Sequence, residues 1–544
     1  MIPGLAAVPL VVGVTGHRDT REQDEAQLRR AFGELLEDFG RRYAASPIVV
    51  LTALAAGADS LAAAEALDRN IRVMACLPMS AERYVEDFTE AQRERFHALL
   101  ARCSAFHIVA EQSDRSRSYL AAGAYIAHFS HILVAFWDGS QGHGVGGTAD
   151  VVHLRRTGIV APGTHTDAYI PDIGPVHHIV TPREGGPLPS NPFTVSILDP
   201  LRLHKETSTK QHFDDVLAHL DAYNRDTTQA GAVAPGLKGL MDRTDAEANR
   251  LQKRTLLFVR LLYVAALFAA LAQILQRGLP GDVYRIATLA AAFAAYWLAR
   301  RFDYENRYQD YRAVAEGLRV QIAWAAAGLV KRSVDTYYLK MQQSELQWIR
   351  LALRAAYLAF CERDEGDASS PQHPDCREWI RGQWRFYYRA SRREAERKRL
   401  CDLAGRVALA IGFALTAVAG VLLAPAALAA VTRQFPALAG TTAHWVSGYH
   451  PLLLQLAASP IPIAVLLGTL LASYAAKRSF ASNSKRYQRM FIVFDTARRR
   501  LNAVRRGYGG DPVEIVAELG RESLTEHADW LLQRREYPLS FMPS

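Results

Sequence analysis

Hydrophobic positions change their pattern near residue 250. Before it, short apolar runs are separated by polar and glycine-bearing stretches; beyond it, long apolar runs alternate with basic ones. In the first half, Pro9–Val14, Ile48–Thr52, Arg72–Leu77, His107–Val109, Ile132–Trp137 and Val176–Val180 predict six strands. Helical spacing fills Gln23–Tyr43 and again Leu61–Leu67. Apolar strands alternating with helices predict an α/β Rossmann-like domain, a parallel sheet covered on both faces.

The second half reads differently. A membrane helix needs about 20 apolar residues, and Leu256–Leu275, Val283–Ala299, Val407–Val431 and Pro451–Ala476 meet or approach that length. Pro460 and Pro462 kink the last run or delay its start. The Gly/Pro-containing stretch Gln276–Asp282 joins the first two runs as a hairpin turn. The expectation is an all-α membrane region with four transmembrane helices in two hairpins and long cytosolic helices. Buried helices of a soluble bundle are the alternative, but these would show one polar face.

Basic clusters set the orientation. Arg250, Lys253 and Arg254 precede the first run, and Arg300, Arg301 and Arg307 follow the second. Arg392, Arg393, Arg397, Lys398 and Arg399 precede the third, and Lys477, Arg478, Lys485 and Arg486 follow the fourth. The opposite turns carry only Arg277, Arg285 and Arg433. The positive-inside rule therefore predicts a multi-pass inner- or plasma-membrane protein with both termini cytoplasmic.

The hairpins look duplicated. Arg300–Tyr308 is echoed by Lys477–Tyr487, and Ser344–Trp348 by Thr525–Trp530. The expected segments are 1–205 for the ligand domain, 206–250 for linker helices hinged at Gly231, Gly236 and Gly239, and 251–361 for the first hairpin with its cytosolic helix. A joint and basic helix fill 362–396, and the second hairpin with the C-terminal helices fills 397–544.

Composition sharpens this only in places. The net charge of +9 admits nucleic acid as a partner, yet the excess clusters beside the apolar runs, where anionic headgroups account for it. No nucleic acid is therefore expected. Five dispersed cysteines form no disulfide framework or metal knuckle, so reduced thiols and no metal are expected. Met1–Pro9 lacks the features of a signal peptide, so the first domain is expected to stay in the cytosol. The spans hold no Asp or Glu, which argues against a transporter. Their small residues suit close helix packing and a homo-oligomer in the lipid bilayer.

Candidate chemistry gathers at the carboxyl ends of the strands, where open α/β sheets bind ligands. Thr15-Gly16-His17-Arg18-Asp19 follows the first strand and offers backbone amides and a guanidinium for a phosphate. Gly57-Ala58-Asp59-Ser60 opens a helix whose dipole favours an anion. Gly144–Asp150 supplies free amides through Gly146 and Gly147, with the Thr148 hydroxyl. A merely structural turn has no need of Arg18 or Thr148.

These motifs, with Ala56–Ala62, Trp137-Asp138-Gly139 and Gly146-Gly147-Thr148, resemble the SLOG superfamily over residues 8–185. That group includes the lonely-guy phosphoribohydrolases, DprA-type proteins and the N-terminal regions of melastatin-type TRP channels. The resemblance implies a nucleotide or nucleotide-derived ligand held by Thr15, Gly16, His17, Arg18, Gly57, Asp59, Ser60, Gly139, Gly146, Gly147 and Thr148. The membrane half is similar to the SLATT family of helical-hairpin effectors, though a doubled unit departs from the single-hairpin pattern. Together they imply a pore-forming membrane effector of a bacterial conflict or antiphage system that senses a nucleotide.

The enzyme alternative is a phosphoribohydrolase-like nucleoside monophosphate N-glycosidase. The lonely-guy enzymes carry acidic residues just after Gly-x-Gly-Thr, whereas here Ala149 and Asp150 follow Thr148. Asp138 or Asp150 would supply the carboxylate, and Arg18 or Arg183 the cation. Against that, Asp138 suits a turn-fixing role and Asp150 a helix-capping one. His143, His153, His165, His177 and His178 show no zinc spacing and read as surface or loop residues.

Overall fold

A computed structural model describes residues 6–109, 114–140, 145–159, 171–201, 210–229, 236–275, 281–301, 303–329, 332–339, 346–360, 374–434 and 460–536. The chain divides into two compact units. Unit 1 comprises Met1–Glu247, Asp310–Cys376 and Val516–Ala528, and unit 2 comprises Ala248–Gln309, Arg377–Ile515 and Asp529–Ser544.

Unit 1 is built on a sheet of seven strands: β1 (Leu10–Gly16), β2 (Ile48–Thr52), β3 (Arg72–Leu77), β4 (Ala105–Ile108), β5 (Ile132–Trp137), β6 (Val176–Val180) and β7 (Val195–Leu198). Their spatial order is β4-β3-β2-β1-β5-β6-β7, parallel except for β7. The six expected strands are present. The seventh has a half-exposed pattern at the sheet edge and so lacks the apolar run by which the others are read. The α/β expectation holds, with one antiparallel edge strand added.

Helix α1 (Glu25–Arg42) buries Leu28, Phe32, Leu36 and Phe39, one stripe at three- and four-residue spacing. Helix α2 (Ala58–Asp68) is buried on nearly every side in its first turns. A short helix α3 (Ala81–Tyr84) precedes α4 (Glu90–Arg102), which starts at a Thr89/Gln92 capping box. Asp114 caps α5 (Arg115–Phe129), accepting the Ser116 amide at 2.9 Å. Helix α6 (Thr148–Thr157) ends at Gly158, whose φ of 68° meets the left-handed requirement there.

Further helices complete unit 1. In α7 (Lys210–Thr228), the Asn224 side chain accepts the Val8 amide at 3.1 Å and donates to the Val8 carbonyl at 2.8 Å. In α11 (Gln347–Phe360), the Leu351 carbonyl receives the Nε2–H of His131, whose Nδ1 accepts the Val11 amide. Arg354 is fully buried and donates to Asp335 at 2.8 Å and to the His128 carbonyl at 2.8 Å, with Asp172 at 3.1 Å. The last stretch lies in α15 (Pro512–Glu536). Its Val516 carbonyl accepts the Trp324 indole of α10 (Tyr304–Ala326) at 3.3 Å, and its His527 meets the Tyr338 hydroxyl at 2.6 Å. Residues expected to be linker and C-terminal helix thus fold with the sheet.

Unit 2 is helical. It holds most of α8 (Leu237–Leu275), α9 (Gly281–Arg301), α12 (Pro374–Gln434), α13 (Pro460–Lys477) and α14 (Phe480–Arg505). Val259 and Tyr263 of α8 pack against Leu470 and Tyr474 of α13, and the Tyr263 and Ser473 hydroxyls share a hydrogen bond of 3.0 Å. A Cβ built on Gly405 of α12 would meet the Gly468 Cα of α13 at 3.8 Å, so small residues admit a close crossing. The outward positions Leu257, Phe268, Ile286, Phe293, Val407, Ile411 and Phe413 are exposed.

Among the described residues one helix stretch, Cys376–Val418, is long and apolar enough to cross a membrane, and of the four expected spans only the third, Val407–Val431, overlaps it, over its first part. Ile286–Leu298 is apolar but shorter. Several expected features lie outside the described residues: the turn at 276–280, the start of the fourth span at 451–459, Gly231, and the joint at 361–373. The four described cysteines, Cys76, Cys103, Cys376 and Cys401, are free thiols.

Candidate functional site

The strand order reverses between β1 and β5, and the carboxyl ends of such a switch point are where open α/β sheets bind ligands. Three chain segments meet there. The β1 turn presses against the start of α2 closely enough that a Cβ on Gly16 would sit 2.4 Å from the Ala58 Cβ. Gly57 has φ +81°, and a Cβ there would lie 2.4 Å from the Arg18 carbonyl oxygen. Glycine is required at both positions for steric reasons. The Ala58 amide donates to the His17 carbonyl at 3.0 Å and locks the two turns.

His17 ties this pair to the third segment. Its amide donates to the Phe136 carbonyl at 3.1 Å, and its Nε2 accepts the Asp138 amide at 3.0 Å. Burial lowers its pKa, against the opposing Asp138 carboxylate 3.1 Å away. The neutral ring is the form that accepts. The Asp138 carboxylate also takes the Ser140 amide at 2.9 Å and hydroxyl at 2.7 Å. Burial opposes ionisation of Asp138, but these bonds prevail and hold its pKa down. Gly139 turns with φ +85° on the exposed side of the loop, where a Cβ would meet nothing within 4 Å.

Arg18 is exposed as a residue, but its guanidinium carbon lies 4.3 Å from the centroid of the Tyr119 ring. Burial opposes its charge, yet Tyr84, Tyr119 and Asp59 keep its pKa raised. Asp59, in the first turn of α2, is buried, and its Oδ1 carries no hydrogen bond among the described residues. Desolvation raises its pKa to about 7, with Arg18 pulling the other way. A cation that stays charged thus faces a carboxyl poised near neutrality.

The glycine-rich turn lies at the same sheet edge. Gly146 has φ +87° and touches the backbone of α5, where a Cβ would come within 2.7 Å of the Ser116 carbonyl. Its amide donates to Asp150 at 2.8 Å. Gly147 is the exposed N-cap of α6, with no side-chain cap. First-turn amides of a helix lack intrahelical acceptors and favour anions. Thr148 is buried at this end.

The structure brings Gly16, His17, Arg18, Gly57, Asp59, Gly146, Gly147 and Thr148 to one sheet edge. Thr15 is buried in β1 below it, and the Ser60 hydroxyl turns inward to the Ala55 carbonyl at 2.7 Å. The three catalytic candidates are each engaged by the protein: Asp138 by Ser140 and His17, Asp150 by the Gly146 amide, and Arg183 by Asp19 at 2.8 Å. Sequence reasoning missed Tyr84 and Tyr119, because neither sits in a glycine motif. Only the strand-end rule, applied to the helices that cover the edge, points to them.

One histidine corrects the surface-or-loop expectation. His177 and His178 lie on β6, in the strand expected at Val176–Val180, and His178 is buried, its Nε2 2.8 Å from the Trp137 carbonyl, while His177 meets Phe39 edge-on. His153 is exposed on α6, and His143 and His165 lie outside the described residues, as does Gly144. No group of three metal-ligating side chains occurs among the described residues. No known family model matches the chain, and no curated protein matches it.

Proposed function

We propose that this protein is a membrane effector whose α/β domain senses a nucleotide or nucleotide derivative. The observation that carries the reading is that a ring-stacked Arg18 and the α6 terminus, which has no side-chain cap, lie at the same strand-end edge of the sheet. Guanidinium and helix amides are complementary to a phosphate, while the buried, unsatisfied Asp59 oxygen is complementary to a donor on the base or sugar. The quoted motifs resemble SLOG domains and support the same ligand class.

The proposed membrane topology has four spans in two hairpins, both termini cytoplasmic, in a homo-oligomer. Exposed apolar residues on α8, α9 and α12 support it, because large apolar patches are costly in water. Ligand binding would act on these hairpins through the chain that leads from α7 into α8, altering membrane integrity as SLATT-type effectors do. The N-glycosidase alternative is less favoured, because its carboxylates and Arg183 already serve as loop clamps.

The test uses the full chain in lipid nanodiscs, screened by thermal shift against nucleoside mono-, di- and triphosphates and cyclic oligonucleotides. A hit should vanish in Arg18→Ala, and the same ligand should trigger dye release from proteoliposomes. Proteoliposomes that stay tight with every bound ligand would refute the effector half of the reading. Free base as a product would favour the enzyme.

A further inference from the structure

Helix α12 carries arginine at every fourth position from Arg377 through Arg381, Arg385, Arg389 and Arg393 to Arg397, and all six are exposed. Along the helix axis the rungs rise about 6 Å each over about 30 Å, and at about 100° per residue the series winds about 200° around the exposed side of the helix. Arg397 is held by Glu394 at 2.8 Å, whereas the other five form no ion pair among the described residues. Between residues 376 and 399 there are nine basic and three acidic side chains, and the neighbouring α14 adds seven basic against one acidic. Trp379, Tyr387 and Trp384 pack on Phe494 and Phe491 of α14, so the ladder sits on a paired, rigid support.

Lipid headgroups explain only one end of this charge. The exposed apolar part of α12 begins near Leu400, and Arg377 lies about 35 Å along the helix from it. The Debye length at physiological ionic strength is about 8 Å. Arg397, Lys398 and Arg399 are within reach of a membrane surface; Arg377 to Arg389 are not. Evenly spaced, unpaired guanidinium groups match a polymer with evenly spaced anions better than a folded acidic patch. Phe386 and Tyr388, 40% and 39% exposed, stand among the rungs; Tyr388 already carries Arg392 over its ring at 4.6 Å, an arginine–aromatic surface of the kind on which bases stack.

We propose that the α12 ladder is a docking track for single-stranded nucleic acid, separate from the strand-end site and independent of the nucleotide reading. The phosphates lie along the arginines, and bases contact Phe386 and Tyr388. This departs from the expectation that the basic excess clusters beside the apolar runs and faces headgroups, because the arginines of α12 extend well beyond that reach.

The experiment measures anisotropy of a labelled 20-nucleotide oligouridine with the full chain in neutral-lipid nanodiscs over a range of salt. The quadruple variant R377Q/R381Q/R385Q/R389Q should bind at least about tenfold more weakly, and its log K against log salt slope should be shallower by roughly 3. The double variant F386A/Y388A should weaken binding and keep the slope. An unchanged thermal midpoint in the quadruple variant shows that the loss is not unfolding. The proposal is overturned if the parent fails to bind, if the quadruple variant binds equally well, or if its only defect is in binding phosphatidylserine vesicles.

Discussion

The guanidinium of Arg18 lies against Tyr119, 4.3 Å from the ring centroid, and the Tyr119 hydroxyl is itself anchored to Asp87 at 2.7 Å. The stack holds a cation in one place before any ligand arrives. Cation–π contacts are worth about 0.5–2 kcal/mol, and a preplaced donor loses less entropy on binding. Tyr119→Leu should therefore weaken affinity for the ligand found in the thermal-shift screen about three- to tenfold. Arg18→Ala should weaken it more, by about a hundredfold. Titration calorimetry on the full chain reads both.

Asp59 gives a pH signature. Its folded pKa of about 7 exceeds the unfolded value of about 3.9, so the native state binds the extra proton. Stability from this group is present at acid pH and is lost as pH rises from about 4 through 7, on the order of 4 kcal/mol by pH 8. Asp59→Asn removes the titration. Its unfolding midpoint should gain on the parent between pH 4 and 7 and keep a constant lead above that; a lead independent of pH would refute the assignment.

His131 has the opposite sign. Burial drives its pKa down to about 4, below the unfolded value of about 6.5. Stability that requires the neutral ring is complete above pH 6.5 and drains as pH falls towards 4. His131→Gln, followed by thermal denaturation at pH 7 and pH 5, should narrow the gap between those two midpoints relative to the parent.

The buried pair of Arg354 and Asp335 should resist substitution from either side. Both side chains are almost wholly excluded from solvent; removing one partner of a buried pair typically costs about 3–5 kcal/mol, the upper part expected for loss of Arg354, since Asp172 still pairs with Arg354 when Asp335 is removed. Arg354→Met and Asp335→Asn should each lower the unfolding midpoint markedly. Their double variant should cost less than the two singles combined.

Gly57→Ala should distort the strand-end turns. The position has φ +81° and no room for a Cβ beside the Arg18 carbonyl, so the turn must open. The expected result is loss of ligand binding out of proportion to the fall in thermal midpoint.

Much of the sheet was legible because β1, β2, β3 and β5 are largely apolar runs, a pattern that burial on both faces requires. β7 was not, since an edge strand with one open side carries no such run. The three glycine turns were legible too, as Gly16, Gly57 and Gly146 each have a steric reason to be glycine. What those turns face was not. Tyr84 and Tyr119 come from α3 and α5, and only the fold brings them to Arg18. The reach of unit 1 was equally hidden: Asn224, Leu351 and Val516 are unremarkable in sequence, and their bonds to Val8, His131 and Trp324 depend on contacts far apart along the chain.

That reach governs the order in which the protein can be made. The sheet is translated before α15, so the Trp324 indole and Tyr338 hydroxyl wait for Val516 and His527 of that helix. A nascent chain cut short before residue 516 leaves both groups without these partners in what should be the core. Unit 1 is therefore complete only after the intervening segment Arg377–Ile515 of unit 2 has been translated, and products truncated before it carry an unfinished α/β unit.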